Sequence, residues 1–149
     1  MVSVISDQDI DVSELLPSEK VIDAKVVSNQ GRHAGRIAGL YISNRSIRGF
    51  RVVYDERSYF IDEEDIADYD GEAIMLSMQP FYVLEGLKVY DDAGRYLGVV
   101  DDVIRESHTN EFKELVVKKH FFSSPISVAA DHVKIANENV ILNEDYADK

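Results

Sequence analysis

The chain has 149 residues, 45 % of them hydrophobic, with 28 acidic against 16 basic side chains and a formal charge of -12. That length holds one ordinary domain or two very small ones. The anionic balance argues against direct nucleic-acid binding and against an anionic membrane surface, because both rely on Lys and Arg meeting phosphate. There is no cysteine, which excludes disulfides, thiolate catalysis and Cys-based zinc sites, and no apolar run reaches the length of a spanning helix.

Residues 1–18 read as an acidic N-terminal segment, frayed over 1–12, with room for a short helical turn in DIDVSELLPSEK (residues 9–20). The opening MVSVISDQDID has neither the basic region nor the apolar stretch of a signal peptide, so a cytoplasmic protein is expected. From Lys25 onward the segments are short, rich in Val, Ile, Phe and Tyr, and bounded by Gly, Asn, Asp or Ser, the pattern of strands. The first turn is NQG (Asn29 to Gly31), and Tyr54 to Ser58 reads as a polar hairpin tip. DEEDIAD (Asp62 to Asp68) is a candidate helical turn, followed by a hairpin at YDGEA (Tyr69 to Ala73) and the strand AIML. SMQPFYVLEG (Ser77 to Gly86) reads as a packed connector.

The remainder repeats what came before. Shifted by 63 positions, KVVSNQGRHAGRIAGL (Lys25 to Leu40) lies over KVYDDAGRYLGVVDDV (Lys88 to Val103) without a gap. Lys25, Val26, Gly31, Arg32 and Gly35 meet Lys88, Val89, Gly94, Arg95 and Gly98. With small slips, IRGFRVV lies over FKELVVK, FIDEEDI over SVAADHV, and AIML over VIL. AADHV is then the second helical turn and Asn137 to Val140 the second late hairpin. Internal duplication at this scale signals tandem structural units. The paired glycines are read as structural, the first of each pair supplying turn geometry and the second a bulge or close backbone approach within a strand. Gly39 has Asp102 as its counterpart, so the third glycine of NQGRHAGRIAG is incidental.

Catalytic and metal-binding motifs are missing. After Gly35 comes Arg-Ile-Ala rather than the Lys-Ser/Thr of a phosphate-binding loop, and G-x-G-x-x-G is also missing. His33, His108, His120 and His132 show no metal-ligand spacing. The run Asp62 to Asp65 lacks the alternation, glycine and terminal Glu of a calcium loop. No G-x-S-x-G or other nucleophile motif occurs. No catalytic residue, metal or cofactor is expected.

The repeated unit resembles the PRC-barrel domain of the photosynthetic reaction-centre H subunit, of ribosome maturation factors and of small archaeal and bacterial proteins. The resemblance rests on DDAGRYLGVVDDV (Asp91 to Val103), which fits D-x-x-G-x-x-(L/I)-G-x-V-x-D, and on FIDEEDIADYDGEAIML. The first copy keeps both turn glycines but has Ala38 and Gly39 in place of Asp101 and Asp102. The resemblance implies an all-β fold of two tandem small β-barrels with little helix. The expected boundaries are 19–80 and 81–143, with a C-terminal tail at 144–149. It further implies a non-enzymatic adaptor that docks other proteins, as archaeal members associated with cell division do. One alternative is an accessory protein of ribosome maturation or RNA processing, although the separate N-terminal domain of those relatives is missing. Another is a ligand-responsive or enzymatic barrel.

The candidate protein-binding residues are Phe121, Phe122, Lys118 and Lys119, at the tip KKHFFSS, together with Arg32 and Arg95 beside the two turns. Adjacent aromatics on a strand face opposite ways, so one can enter the core and the other needs separate cover. Contact with the other barrel or the terminal segment is the favoured reading, and a partner or dimer anchor, from aromatics near a basic pair in an acidic protein, is the alternative. For the two arginines a salt bridge is the favoured reading and a pair of docking points the other. A protein partner is expected, with a homodimer as one form and membrane association only through that partner.

Overall fold

The computed structural model describes residues 18–107, 109–120 and 123–146. The readings for residues 1–17, for His108, for Phe121 and Phe122, and for residues 147–149 lie outside the described residues. The chain divides into two compact units, residues up to 27 with 33–77 and residues 28–32 with 78 onward.

In the first unit a single helical turn, α1 (Ser18–Val21), precedes β1 (Lys25–Val27), β2 (His33–Ser43), β3 (Ser46–Tyr54), β4 (Arg57–Asp62), β5 (Ile66–Tyr69) and β6 (Ala73–Leu76). They form one sheet in the order β4-β3-β2-β1-β6-β5. Neighbours are antiparallel except β1 and β6, which run parallel with Val26 opposite Ile74. The β2–β3 and β3–β4 links are two-residue hairpins. Their central pairs, Asn44–Arg45 and Asp55–Glu56, all have positive φ, the geometry that matches strand twist. Period-2 alternation then sends Val26, Ile37, Phe50, Val52, Ile61, Ile74 and Leu76 into the interior. Each such side chain contributes about 1.5–3 kcal/mol when fully buried.

The second unit opens with a 3-10 turn at Phe81–Leu84, followed by β7 (Lys88–Tyr90), β8 (Tyr96–Arg105), β9 (Phe112–Lys118), β10 (Ile126–Ala129), β11 (Val133–Ala136) and β12 (Val140–Leu142). The sheet order is β10-β9-β8-β7-β12-β11, the same as in the first unit, again with one parallel pair, β7 and β12. Both sheets are barrel-like. The core of the second unit is Leu84, Leu87, Val89, Leu97, Val100, Leu115, Val117, Val128, Val140 and Leu142. Both expected helical turns are present as 3-10 turns, Glu63–Asp65 and Ala130–His132.

The likeness of the units begins earlier than the sequence suggested. Phe81–Leu84 stands where α1 does, and not as a mere connector. Ala24 O accepts from Ile37 N while Asp23 N donates to Ile37 O, and Leu87 O accepts from Val100 N while Gly86 N donates to Val100 O. Asp23 and Gly86 both have positive φ, 68° and 88°.

The glycines divide as expected. Gly31 and Gly94, with φ of 77° and 83°, sit in open turns where a methyl group would touch nothing within 4 Å. Gly35 and Gly98 lie in the strands at φ of 113° and 142°, where a Cβ would come 2.5 Å from Val53 O and from Lys118 O. Gly39 has ordinary φ, and a Cβ there would make only van der Waals contact with Arg51.

Candidate functional site

The two turns beside Arg32 and Arg95 are built alike from different residues. Asp91 Oδ1 accepts from the backbone N–H of Ala93 at 3.0 Å and of Arg95 at 2.8 Å. At the equivalent place Ser28 Oγ accepts from Gln30 N and Arg32 N, each at 3.2 Å. The Arg95 backbone N–H, followed by the charge of its side chain, holds the Asp91 carboxyl below its ordinary value, although partial burial opposes this. Arg95 Nε also pairs with Asp91 Oδ2 at 3.0 Å. The favoured salt bridge is therefore present at Arg95, whereas Arg32 has the neutral Ser28 at that place.

Arg95 and Lys119 come together. With Tyr96, Leu97, His120 and Ser123 they line a hollow of about 300 Å³ in the second unit. His120 and Ser123 close its edge, since His120 N donates to Ser123 Oγ at 2.9 Å and Ser123 N to His120 O at 3.1 Å. Lys118 ends β9, and its Nζ lies 3.9 Å from Asp101 Oδ2. The acidic run carries structure: Asp62 accepts from Glu64 N at 3.0 Å and pairs with Arg48. Among the described residues no three His, Cys, Asp or Glu side chains are grouped to hold a metal ion, and no helix is long and apolar enough to cross a membrane.

The most exposed apolar surface of the first unit was not foreseen. On the outer face of β2, β3 and β4, Tyr41 lies opposite Gly49 and Ile42 opposite Ile47. The ring of Phe60 lies where a Gly49 side chain would be and packs on Tyr41 with centroids 5.5 Å apart. Tyr41 is 43 % exposed, Ile42 71 %, Ile47 44 % and Phe60 50 %. A register shift between Tyr41 and Ile42 brings two consecutive apolar residues toward one patch, which simple alternation does not anticipate. At the places of Phe60 and Gly49 the second unit has Ser127 and Glu114, and Ser127 Oγ donates to Glu114 Oε2 at 2.6 Å, while Ile104 opposite Glu114 stays exposed. A sequence signal did exist: glycine on a strand opposite a tyrosine leaves room for a neighbouring ring.

A second hollow, of about 350 Å³, lies in the second unit among Gln79, Phe81, Leu84, Asn110, Phe112 and Ala136. Asn110 anchors its rim, with Oδ1 accepting from Phe81 N at 2.7 Å and Nδ2 donating to Gln79 O at 2.9 Å.

A mostly antiparallel barrel-like sheet, with one glycine at a turn and another inside the following strand, defines a small β-barrel module. Residues 81–149 match the PRC-barrel domain model, and this part of the chain is a PRC-barrel domain. No curated protein matches the sequence. Among solved structures, RimM of Pseudomonas aeruginosa, a protein assigned to 16S ribosomal RNA processing, is similar at 17 % identity. That similarity covers 83 % of this chain and 78 % of that one, with a TM-score of 0.34.

Proposed function

We propose that the protein is a non-enzymatic docking adaptor that binds a basic protein partner in the cytoplasm. The observation that carries this reading is the exposed patch Tyr41, Ile42, Ile47 and Phe60 on the first unit. Contiguous apolar surface of this kind marks interaction sites, and Tyr and aromatic neighbours are common binding hot spots. The formal charge of -12 attracts a cationic partner and speeds its encounter, while it repels a polyanion.

Of the processes the PRC-barrel resemblance implies, ribosome maturation fits this chemistry better, because ribosomal proteins are predominantly basic. The cell-division association finds no support in the fold or in the matches. Contact is proposed with a protein component rather than with RNA. The test is a titration of the full chain against purified ribosomal proteins and, separately, against 16S rRNA fragments, at low and high salt. Saturable binding to a basic protein, weakened at least tenfold by Phe60→Ser, is expected. Tight RNA binding that Phe60→Ser leaves unchanged would overturn the proposal.

A further inference from the structure

We infer that the hollow between Phe81, Leu84, Phe112 and Ala136 is a receptor for a tyrosine side chain supplied by a partner polypeptide. The argument comes from the other unit. Ala136 lies opposite Val140 in β11–β12, just as Tyr69 lies opposite Ile74 in β5–β6, and both strand pairs carry a register shift at the same point. Tyr69 and Ala136 are therefore structural equivalents. In the first unit the Tyr69 hydroxyl reaches across to α1, 3.0 Å from Lys20 O, and lies 3.1 Å from Gly71 O. The second unit places only a methyl group there, and a hollow of about 350 Å³ lies beside it.

The walls of that hollow suit the missing ring. Phe81 and Phe112 stand where the first unit has Ser18 and Ile47, so an incoming ring meets aromatic neighbours in the tilted or offset arrangements they favour. Arg105 lies over the Phe81 ring, 3.9 Å from its centroid. One polar atom selects a donor. Gln79 Nε2 is committed to Ala136 O at 2.6 Å, while Gln79 Oε1 is buried without a hydrogen-bond partner. A buried carbonyl oxygen left over in this way favours an occupant that brings an O–H. A phenol brings one O–H for that oxygen, whereas a purely aliphatic side chain leaves it unpaired. Only the source of the tyrosine rests on the docking reading; the receptor itself is a property of this unit.

The test uses the full chain with p-cresol, the tyrosine side-chain analogue, and with toluene, followed by amide chemical shifts. Saturable shifts at Leu84, Phe112 and Ala136 are expected, with cresol binding roughly three- to tenfold more tightly than toluene, as one neutral hydrogen bond provides. Gln79→Leu should reduce cresol to the affinity of toluene. Ala136→Tyr should supply the ring internally, raise the unfolding midpoint and abolish the cresol shifts. Equal affinity for the two probes, shifts centred elsewhere, or a lowered midpoint in Ala136→Tyr would each overturn the inference. All of these outcomes can be read without the first unit's patch. A failed receptor and a failed docking face at Phe60 are thus separate results.

Discussion

Replacing Gly98 by alanine tests whether the second glycine of each pair serves close backbone approach rather than turn geometry. Its φ of 142° already disfavours a side chain, and the new Cβ would sit 2.5 Å from Lys118 O, 2.7 Å from Lys118 C and 3.0 Å from Lys119 N. All three atoms are backbone, so β8 and β9 must separate instead of a side chain swinging aside. Left-handed strain contributes about 1–2 kcal/mol, and forced displacement in a packed region adds about 1–3 kcal/mol. A total near 3 kcal/mol is expected. With a urea slope of about 2 kcal/mol/M, the midpoint falls by roughly 1.5 M. Gly94→Ala is the control, because its φ of 83° carries the strain while nothing lies within 4 Å of the added carbon; it should lose only about 1–2 kcal/mol. Gly39→Ala, with ordinary φ and only van der Waals neighbours, should stay within about 0.5 kcal/mol of the parent. Urea melts followed by circular dichroism measure all three. Midpoints for Gly98→Ala and Gly94→Ala that agree within about 0.3 M would refute the close-approach argument, since the clash is what separates them.

Four further outcomes are expected. Ser28→Ala removes a fully buried hydroxyl that accepts from two backbone N–H groups, and a loss of about 1–3 kcal/mol in the same melts would register their exposure unpaired. Leu115→Ala, at a site with no exposed surface, should cost about 2–5 kcal/mol. Phe60→Ser should leave the urea midpoint nearly unchanged, because its ring is half exposed, while binding of the proposed basic partner weakens at least tenfold; parallel losses of stability and binding would assign the ring to structure. For Asp91, backbone and Arg95 contacts lower the carboxyl below its ordinary 3.8, so the unfolded chain takes up the proton more readily than the folded one. The stabilisation from this carboxylate is complete above that ordinary value and disappears as pH falls through the lowered folded value. The stability gap between parent and Asp91→Asn, measured by urea melts across the acid range, should therefore narrow on acidification.

Much of the architecture was legible because the repeat is written in residues with narrow conformational uses. Gly31, Gly35, Gly94 and Gly98 all occupy positive φ, and few other residues tolerate those positions. Their spacing marks a turn followed by a tight strand crossing. The acidic run was legible as a turn because Asp62 caps it locally. The equivalence of Phe81–Leu84 with α1 was hidden, since SEKV and FYVL share only an apolar last residue; what relates them is the pair of backbone bonds to Ile37 and Val100. The outer patch was hidden for another reason. Which face a strand residue takes depends on register, and the shift at Tyr41 and Ile42 breaks the alternation on which a sequence reading relies.

The sequence by itself determined a duplicated all-β chain with two glycine-punctuated units and an anionic field, because these follow from local backbone preference, hydrophobic alternation and net charge. Tertiary structure alone decided which surfaces are usable. Phe60 meets Tyr41 only when β3 lies between their strands with Gly49 beneath the ring. The hollow beside Ala136 has a meaning only when Tyr69 is seen at the same place in the other unit. Both features depend on residues far apart in the chain, brought together by strand pairing and packing rather than by any local preference.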